Sequence, residues 1–190
     1  MATAKVNGEL MIDYDLTGML TVLLLAGLDT VASMMGLFAR FFALNPAHRQ
    51  KLIEDPGLIS RAVEELLRRY PIANLARVAT QDYEYHGVNF KAGDMVVAPT
   101  TLDGLDERRF TDPFNVDFHR DAQRNLTFGG GVHRCMGAML ARTELRLFIE
   151  EWFKRVPDFQ IKPGADLKVS ARSVATLTSL PLVWDPASTR

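Results

Sequence analysis

The stretch FGGGVHRCMGAMLAR, from Phe128 to Arg142, holds the only cysteine of the chain, Cys135, between a run of glycines and a segment rich in helix formers. Residues 136–155 are rich in Ala, Leu, Glu and Arg and lack proline, so they predict a helix that begins beside Cys135. The free amides and positive dipole end of a helix N-terminus favour an anion, and thiols placed there act as nucleophiles or metal ligands. A lone cysteine is also often a small buried apolar residue, but the glycines and the adjacent His133 and Arg134 favour a chemical role.

Composition describes an ordinary globular chain. The 190 residues suit one domain, with 47% hydrophobic and 24% charged residues. The formal net charge of -1 gives no reason to expect nucleic acid as a partner. One cysteine cannot form an internal disulfide, and the opening MATAKVNGEL lacks the pattern of a signal peptide. A cytoplasmic location is therefore expected.

A long apolar segment runs from Leu16 to Ala39 and carries one charged residue, Asp29. Its length would span a bilayer. An aspartate near the centre of a span costs about 2.5–3.5 kcal/mol on insertion scales, however. A helix buried on all sides in a large core explains the same pattern, and we prefer that interpretation to a membrane span.

The remaining pattern predicts helices at Asp15–Leu44, Ala47–Glu54 and Leu58–Tyr70, each ended by a proline or a Pro-Gly turn. Short strands are expected between Arg77 and Pro99 and again in the tail. Residues 100–127 predict an irregular connection with a short helix near Thr101. The fold class is thus mainly α with small β-sheets (α+β).

Two helical motifs carry polar groups that need an explanation. In AGLDT, the Thr30 hydroxyl can bond to the carbonyl of Ala26 one turn earlier, beside Asp29, and such bonds often bend a helix. In EELLRR, Glu65 and Arg68 are three residues apart and can pair on one face. Periodicity points this pair away from the apolar face of its helix, which by itself indicates a solvated ion pair of small worth.

Taken together, these motifs resemble a known family. Phe128, Gly131, Cys135 and Gly137 stand in the spacing F-x-x-G-x-x-x-C-x-G. Upstream of it lie first Glu-x-x-Arg and then, still nearer the N-terminus, Ala-Gly-x-Asp-Thr. This pattern resembles the C-terminal half of the cytochrome P-450 family of haem-thiolate monooxygenases. The segments GLDTV and SLPLVWDPA most resemble those of soluble bacterial hydroxylases of the camphor and terpene type. Since that family is about twice as long, residues 1–190 would form a single partial domain with a long central helix and a haem-binding cysteine loop, lacking the N-terminal half.

The resemblance implies a role for each motif residue. Cys135 would be the proximal iron ligand of haem b, and the helix N-terminus would keep it anionic and favour O–O cleavage. The residues that the resemblance places around the cofactor are Arg77, Phe128, Gly129, His133 and Gly137, with Arg77 and His133 on the haem propionates. Asp29 and Thr30 would handle the protons of dioxygen activation. Glu65, Arg68 and Arg120 would form a buried ion network, against the periodicity interpretation. The substrate pocket would include Val22, Leu25, Ala73 and Val174.

The function implied is insertion of one atom of dioxygen into a small apolar substrate, such as a terpene, with electrons from a ferredoxin. Two alternatives share the same motifs. The chain could be a truncated module that binds haem without turnover. It could also be an inert fragment, or a subunit that needs a second polypeptide carrying the missing half.

Overall fold

The computed structural model describes residues 3–171 and 174–188. Helices dominate it, and their bounds follow the punctuation of the sequence. The helical segments are α1 (Asp13–Leu44), α2 (Pro46–Glu54), α3 (Ile59–Arg69), α4 (Thr100–Asp103) and α5 (Ala138–Arg155), with short 3₁₀ turns at Pro56–Leu58, Gly131–His133 and Pro186–Ser188. The first three helices agree with the predicted ones to within two residues at each end, because prolines fix where helices begin and stop.

The strands are short and pair only locally. They are β1 (Lys5–Val6), β2 (Glu9–Leu10), β3 (Asn74–Val78), β4 (Tyr83–Tyr85), β5 (Val88–Phe90), β6 (Met95–Pro99), β7 (Gln160–Ile161), β8 (Lys168–Ala171), β9 (Ala175–Ser179) and β10 (Leu182–Val183). The described strands form separate antiparallel pairs: β1 with β2, β3 with β6, β4 with β5, β7 with β10 and β8 with β9. The mainly helical fold class with small sheets is therefore confirmed.

The hydrophobic core lies where α1, α3 and α5 meet. The C-terminal half of α1 supplies Met34, Phe38, Phe41 and Phe42; α3 supplies Ile59, Ala62, Val63, Leu66 and Leu67; and α5 supplies Leu145, Ile149 and Phe153. These side chains are at most 8% exposed. Core packing of this kind fixes the three helices against one another.

The N-terminal half of α1 does not join this core. Val22, Leu24, Leu25 and Leu28 are each more than 60% exposed, and 22% of the most apolar window of α1 is buried. The expectation of a helix buried on all sides is therefore wrong for this half, because no other element of the described chain covers it. By length and composition alone, with a mean hydropathy of 1.9 in that window, α1 could also cross a membrane.

The tail returns to the centre of the molecule after residue 174. Val174 forms an isolated antiparallel bridge with Ala73. The neighbouring Ala175 donates its N–H to the carbonyl of Ile72 at 2.7 Å. The segment that follows α3 is thereby held against β9, near the middle of α1, where Ser33 donates a hydrogen bond to Thr176. These contacts hold the tail against α1 and the segment after α3.

Candidate functional site

The cysteine loop closes on itself through backbone hydrogen bonds. The N–H of Cys135 donates to the carbonyl of Phe128 at 2.9 Å, and the N–H of Arg134 donates to the carbonyl of Gly131 at 3.1 Å. Helix α5 begins at Ala138, slightly later than predicted, with Gly137 as its N-cap. Cys135 is exposed and lies just before the helix. The loop therefore presents a thiol beside a helix N-terminus, where an anion is favoured.

Two glycines of the loop adopt backbone angles that other residues rarely reach. Gly129 has φ +67° and Gly131 has φ +62°, both in the left-handed region. A Cβ on Gly129 would also lie 3.3 Å from Cδ1 of Leu75. Any side chain at position 129 would be strained and would push the loop away from β3. The turn that places Cys135 at the edge of a cavity depends on this position.

A cavity of about 170 Å³ joins the cysteine loop to the middle of α1. Thr30, His133 and Cys135 supply its polar atoms together with Thr127, and the rest of its lining is mainly apolar: Val31, Met34, Leu67, Ile72, Ala73, Leu75, Phe128, Ala141 and Leu145. A larger, open groove of about 790 Å³ runs between the N-terminal half of α1 and Met136, which follows Cys135. Helix α1 thus faces the cysteine loop and its neighbours along both spaces.

Thr30 makes the hydrogen bond that the sequence predicted. Its Oγ1 donates to the carbonyl of Ala26 at 2.6 Å. Thr30 lines the cavity that Cys135 also lines, whereas its neighbour Asp29 is exposed and does not line it. The structure therefore places Thr30 at the cavity that Cys135 also lines and leaves the carboxylate of Asp29 towards solvent.

His133 and Arg77, the two residues expected to bind the haem propionates, lie in different places. His133 lines the cavity. Arg77 is exposed on β3 and donates to the carbonyl of its own neighbour, Ala76, at 2.7 Å. Arg77 does not line the cavity, although Leu75, two residues earlier on the same strand, does. In this arrangement only His133 of the two stands beside the cysteine.

Glu65 and Arg68 form an ion pair from which solvent is excluded. Both are 0% exposed, and Arg68 donates to the two carboxylate oxygens of Glu65 at 2.8 Å each. Arg120 adds a third bond, from Nε to Oε1 of Glu65 at 3.1 Å. The structure thus brings these three side chains together, and the periodicity interpretation of a solvated pair is wrong.

The physical reason is an irregular segment that covers the polar face of α3. Arg68 donates to the carbonyls of Gly104 and Pro113, and Arg120 donates to the carbonyl of Thr111 at 2.5 Å. The carboxylate of Glu65 accepts the N–H of Asp117 at 3.0 Å. A Cβ on Gly104 would lie 2.0 Å from the carbonyl oxygen of Arg68, so the segment approaches α3 more closely than any other residue would permit.

The residues proposed for a substrate pocket divide into two groups. Ala73 lines the cavity beside Thr30, and Val174 is bridged to it. Val22 lines the open groove farther along α1. Leu25 is 66% exposed and lines neither space. The structure therefore places Ala73 at the cavity, with Val174 paired to it, and leaves the two α1 residues open to solvent.

Sequence reasoning missed an ion pair between Glu64 of α3 and Arg142 of α5, in which Arg142 also stacks on Phe128. It also missed the Thr127 hydroxyl, which donates to the carbonyl of Leu67 at 2.8 Å. No local spacing signals contacts between residues this far apart in the chain. From the sequence, Glu64 and Arg142 are simply charged residues on two predicted helices. Such residues are usually solvent-exposed, so nothing predicted that they pair.

The donor set bears on which metal group could bind here. Among the described residues, no group of three or more His, Cys, Asp or Glu side chains could hold a metal ion. Within that part of the chain, Cys135 would therefore be a single protein ligand to a metal group. A thiol presented by a glycine-rich loop before a helix N-terminus, beside a mainly apolar lining, is a donor of the kind that suits the iron of haem. His133 would bind a carboxylate of that macrocycle.

Comparison with known proteins gives a consistent result. The family model described as Cytochrome P-450 matches residues 1–181. The probable cytochrome P-450 127A1 of Sinorhizobium fredii is 36% identical over 181 residues, which are 95% of this chain and 44% of that protein. The Vitamin D3 dihydroxylase of Streptomyces griseolus is 35% identical over 97% of this chain and 46% of its own length.

A solved structure agrees. The crystal structure of CYP101J2 superposes with a TM-score of 0.91 at 38% identity and covers 97% of this chain and 47% of that chain. The chain thus spans less than half the length of these relatives, and the described fold is a partial one. The resemblance inferred from the motifs is confirmed.

Proposed function

Since this chain belongs to the cytochrome P-450 family, we propose that it is the haem-binding, C-terminal part of a monooxygenase that inserts one atom of dioxygen into a small apolar substrate. The observation that carries the proposal is the position of Cys135. Its amide is tied to the carbonyl of Phe128, and its side chain lines the cavity that Thr30 also lines. Oxygen insertion is also what the name of the relative Vitamin D3 dihydroxylase describes.

The residues of the chain would share the work as follows. Cys135 would hold the iron of haem b, and Phe128 would pack beside the sulfur. Gly129 and Gly137 would allow the loop to lie close to the macrocycle. His133 donates to a propionate. When bound, the haem supplies the activation of dioxygen, for which a thiolate ligand is suited.

Two residues on α1 would manage protons. Thr30 lies at the cavity with its hydroxyl donated to Ala26, so rotation of that hydroxyl would let it hold a proton over the site. Asp29 is exposed beside it and would exchange protons with solvent. Geometry comes first in assigning such a relay, and the position of Thr30 at the cavity supports this role.

The apolar lining supports an apolar substrate. Met34, Ile72 and Ala73 face the cavity, and Val174 lies beside Ala73. A site of this kind offers area to a hydrocarbon and few hydrogen bonds to a polar molecule. Val22 and Leu25 would complete the pocket once α1 is covered. Electrons would come from a ferredoxin-type protein, and the site of action would be the cytoplasm, with neither nucleic acid nor membrane as a partner.

A second candidate function is haem binding without turnover. It is favoured by the exposure of α1, since Val22 is 65% exposed and Leu25 66% exposed. An open substrate side admits water, which competes with coupled oxygen insertion. A polypeptide that supplies the missing half would then be needed for activity.

The test begins with the ligand. The 1–190 chain is loaded with haem, reduced and exposed to carbon monoxide, and a thiolate ligand gives a strongly red-shifted Soret band. We expect Cys135→Ala to remove this band and Thr143→Ala, on the exposed side of α5, to retain it. An unchanged band in Cys135→Ala would show that Cys135 is not the ligand.

The second step separates the two functions. The chain, joined to a matching N-terminal half and loaded with haem, receives electrons from a ferredoxin and its reductase in the presence of a small terpene. Product formed in proportion to the electrons consumed supports the monooxygenase, whereas the thiolate band without product supports the binding module.

A further inference from the structure

A second ion pair joins α3 to α5 and takes no part in the network of Glu65. Nε of Arg142 lies 2.5 Å from Oε1 of Glu64, and Nη2 lies 3.2 Å from Oε2. Their side chains are 20% and 15% exposed. The pair is therefore two-bonded and more shielded than an ordinary surface ion pair, which gives it a defined geometry.

The same guanidinium lies against the cysteine loop. Cζ of Arg142 is 4.6 Å from the centroid of the Phe128 ring. The carbonyl of Phe128 in turn accepts the N–H of Cys135 at 2.9 Å. Glu64, Arg142, Phe128 and Cys135 are thus connected in series, from a helix of the core to the residue that carries the thiol.

Each link has a physical cause. A planar guanidinium stacks on an aromatic face and can still form two parallel bonds to a carboxylate, which a lysine cannot do. Glu64 removes the rotational freedom that a long arginine side chain would otherwise keep. The preceding residue, Thr127, is held separately through its bond to the carbonyl of Leu67, whereas the contact from Arg142 acts on the ring of Phe128 itself.

We infer that Arg142, held by Glu64, is a positioning residue for the ligand loop: it fixes Phe128, and through the carbonyl of Phe128 it fixes the amide of Cys135. The inference rests on the proposed haem-thiolate function for its purpose, since it concerns the residue that would bind iron. Its geometry is a property of the chain itself and can be measured without haem.

A matched control lies on the same helix. Arg146 forms an ion pair with Glu150 one turn along α5, at 2.7 Å. That pair lies within one helix and makes no contact with Phe128. Arg146→Gln therefore removes an arginine and an ion pair from α5 without touching the series of contacts that leads to Cys135.

The measurement is the rate of amide hydrogen exchange at Cys135 in the 1–190 chain. It is divided by the rate at Ile149 in α5, a buried amide that reports global unfolding. We expect Arg142→Gln and Glu64→Gln to speed exchange at Cys135 roughly two- to thirtyfold relative to Ile149, the range that corresponds to losing a cation–π contact. Arg146→Gln leaves the ratio unchanged. Equal changes at Cys135 and Ile149 would reduce Arg142 to a general helix–helix contact and overturn the inference.

A double-mutant cycle tests the route through Phe128. In a Phe128→Leu background the ring is absent, so Arg142→Gln should change the Cys135 ratio by less than twofold. A full effect in that background would overturn the inference, because Arg142 would then act by another path. The cycle remains decisive even where a single variant loses stability, since the Ile149 amide reports that loss.

The carbon monoxide spectrum of the parent separates this inference from the proposed function. A parent chain without the thiolate band but with the expected exchange ratios refutes haem-thiolate binding and leaves the positioning role of Arg142 intact. The thiolate band together with an exchange ratio that Arg142→Gln does not alter supports the function and refutes the positioning role.

Discussion

Glu65 and Arg68 lie one turn apart on α3 and form a two-bonded ion pair that is completely buried. Burial of two charges costs free energy that only complete hydrogen bonding offsets. Here Arg68 also binds the carbonyls of Gly104 and Pro113, and Glu65 also binds Arg120. The pair is thus the point to which an otherwise irregular segment is attached.

The first prediction concerns this network. Glu65→Gln leaves Arg68 buried without its counter-charge, so the free energy of unfolding should fall by about 3–5 kcal/mol. Glu150→Gln, which breaks the partly exposed pair with Arg146, should cost less than about 1 kcal/mol. Urea unfolding followed by circular dichroism measures both. Similar losses in the two variants would mean that burial does not distinguish the pairs.

The second prediction concerns Thr30 in a chain joined to a matching N-terminal half. Thr30→Ala should divert electrons to peroxide while haem binding persists, because the hydroxyl beside Cys135 is lost. Thr21→Ala is the matched control: Thr21 also bonds one turn back, to Thr17 at 2.9 Å, but does not line the cavity with Cys135. Equal product per reducing equivalent in the parent and Thr30→Ala would exclude the proton role.

The third prediction concerns the exposed half of α1. The 1–190 chain alone should self-associate or unfold readily and show little monooxygenase activity, because exposed apolar area promotes association. Burial of apolar surface stabilises a fold by about 25 cal/mol per Å². Since the net free energy of unfolding of a domain is only about 5–15 kcal/mol, leaving this half of α1 exposed removes an appreciable part of it. Size exclusion and thermal melting, with and without haem, measure the effect.

The controls for α1 are charge substitutions. Val22→Glu together with Leu25→Glu should lower self-association, whereas Val88→Glu on the hairpin of β4 and β5, also at an exposed site, should not. A sharp monomer peak, a cooperative melt without haem and coupled hydroxylation in the parent would together contradict the prediction.

The fourth prediction concerns acid. Hydrogen bonds from the Arg108 side chain, and then from its backbone N–H, hold the pKa of Asp106 at about 2. The usual pKa of an aspartate is about 3.9. The lowered pKa means that the ionised carboxylate stabilises the fold above about pH 4, and that this contribution is lost as the pH falls through about 2. Between those values, the urea midpoint of the parent should fall more than that of Asp106→Asn. Parallel midpoints would contradict it.

Local signals predicted the helices and the fold class well. Prolines at positions 46, 56 and 71 mark helix ends whatever the tertiary context, and apolar periodicity gave the core face of α3. The bond from Thr30 to Ala26 was predictable because it needs only one helical turn. The cysteine motif, together with the order and spacing of the two helical motifs before it, indicated the family, and the comparisons confirm it.

Nonlocal contacts explain what the pattern could not predict. Periodicity placed Glu65 in solvent because the segment that buries it is contributed by residues 104–120. The stacking of Arg142 on Phe128 depends on how α5 packs against α3. Conversely, Arg77 and Leu25 were assigned to the site by resemblance, and in the described structure neither lines the cavity beside Cys135. Those roles remain predictions.

The segment wound around Arg68 and Arg120 also bears on the order of folding. Helices form from local contacts, whereas the carbonyls of Gly104 and Pro113 find their donor, Arg68, only after α3 is in place. Ordering of this segment should therefore follow the rate-limiting step, in which the helices dock. Substitutions along it would then hasten unfolding and leave the refolding rate nearly unchanged. The irregular segment of residues 104–120 would therefore determine how long the chain stays folded more than how fast it folds.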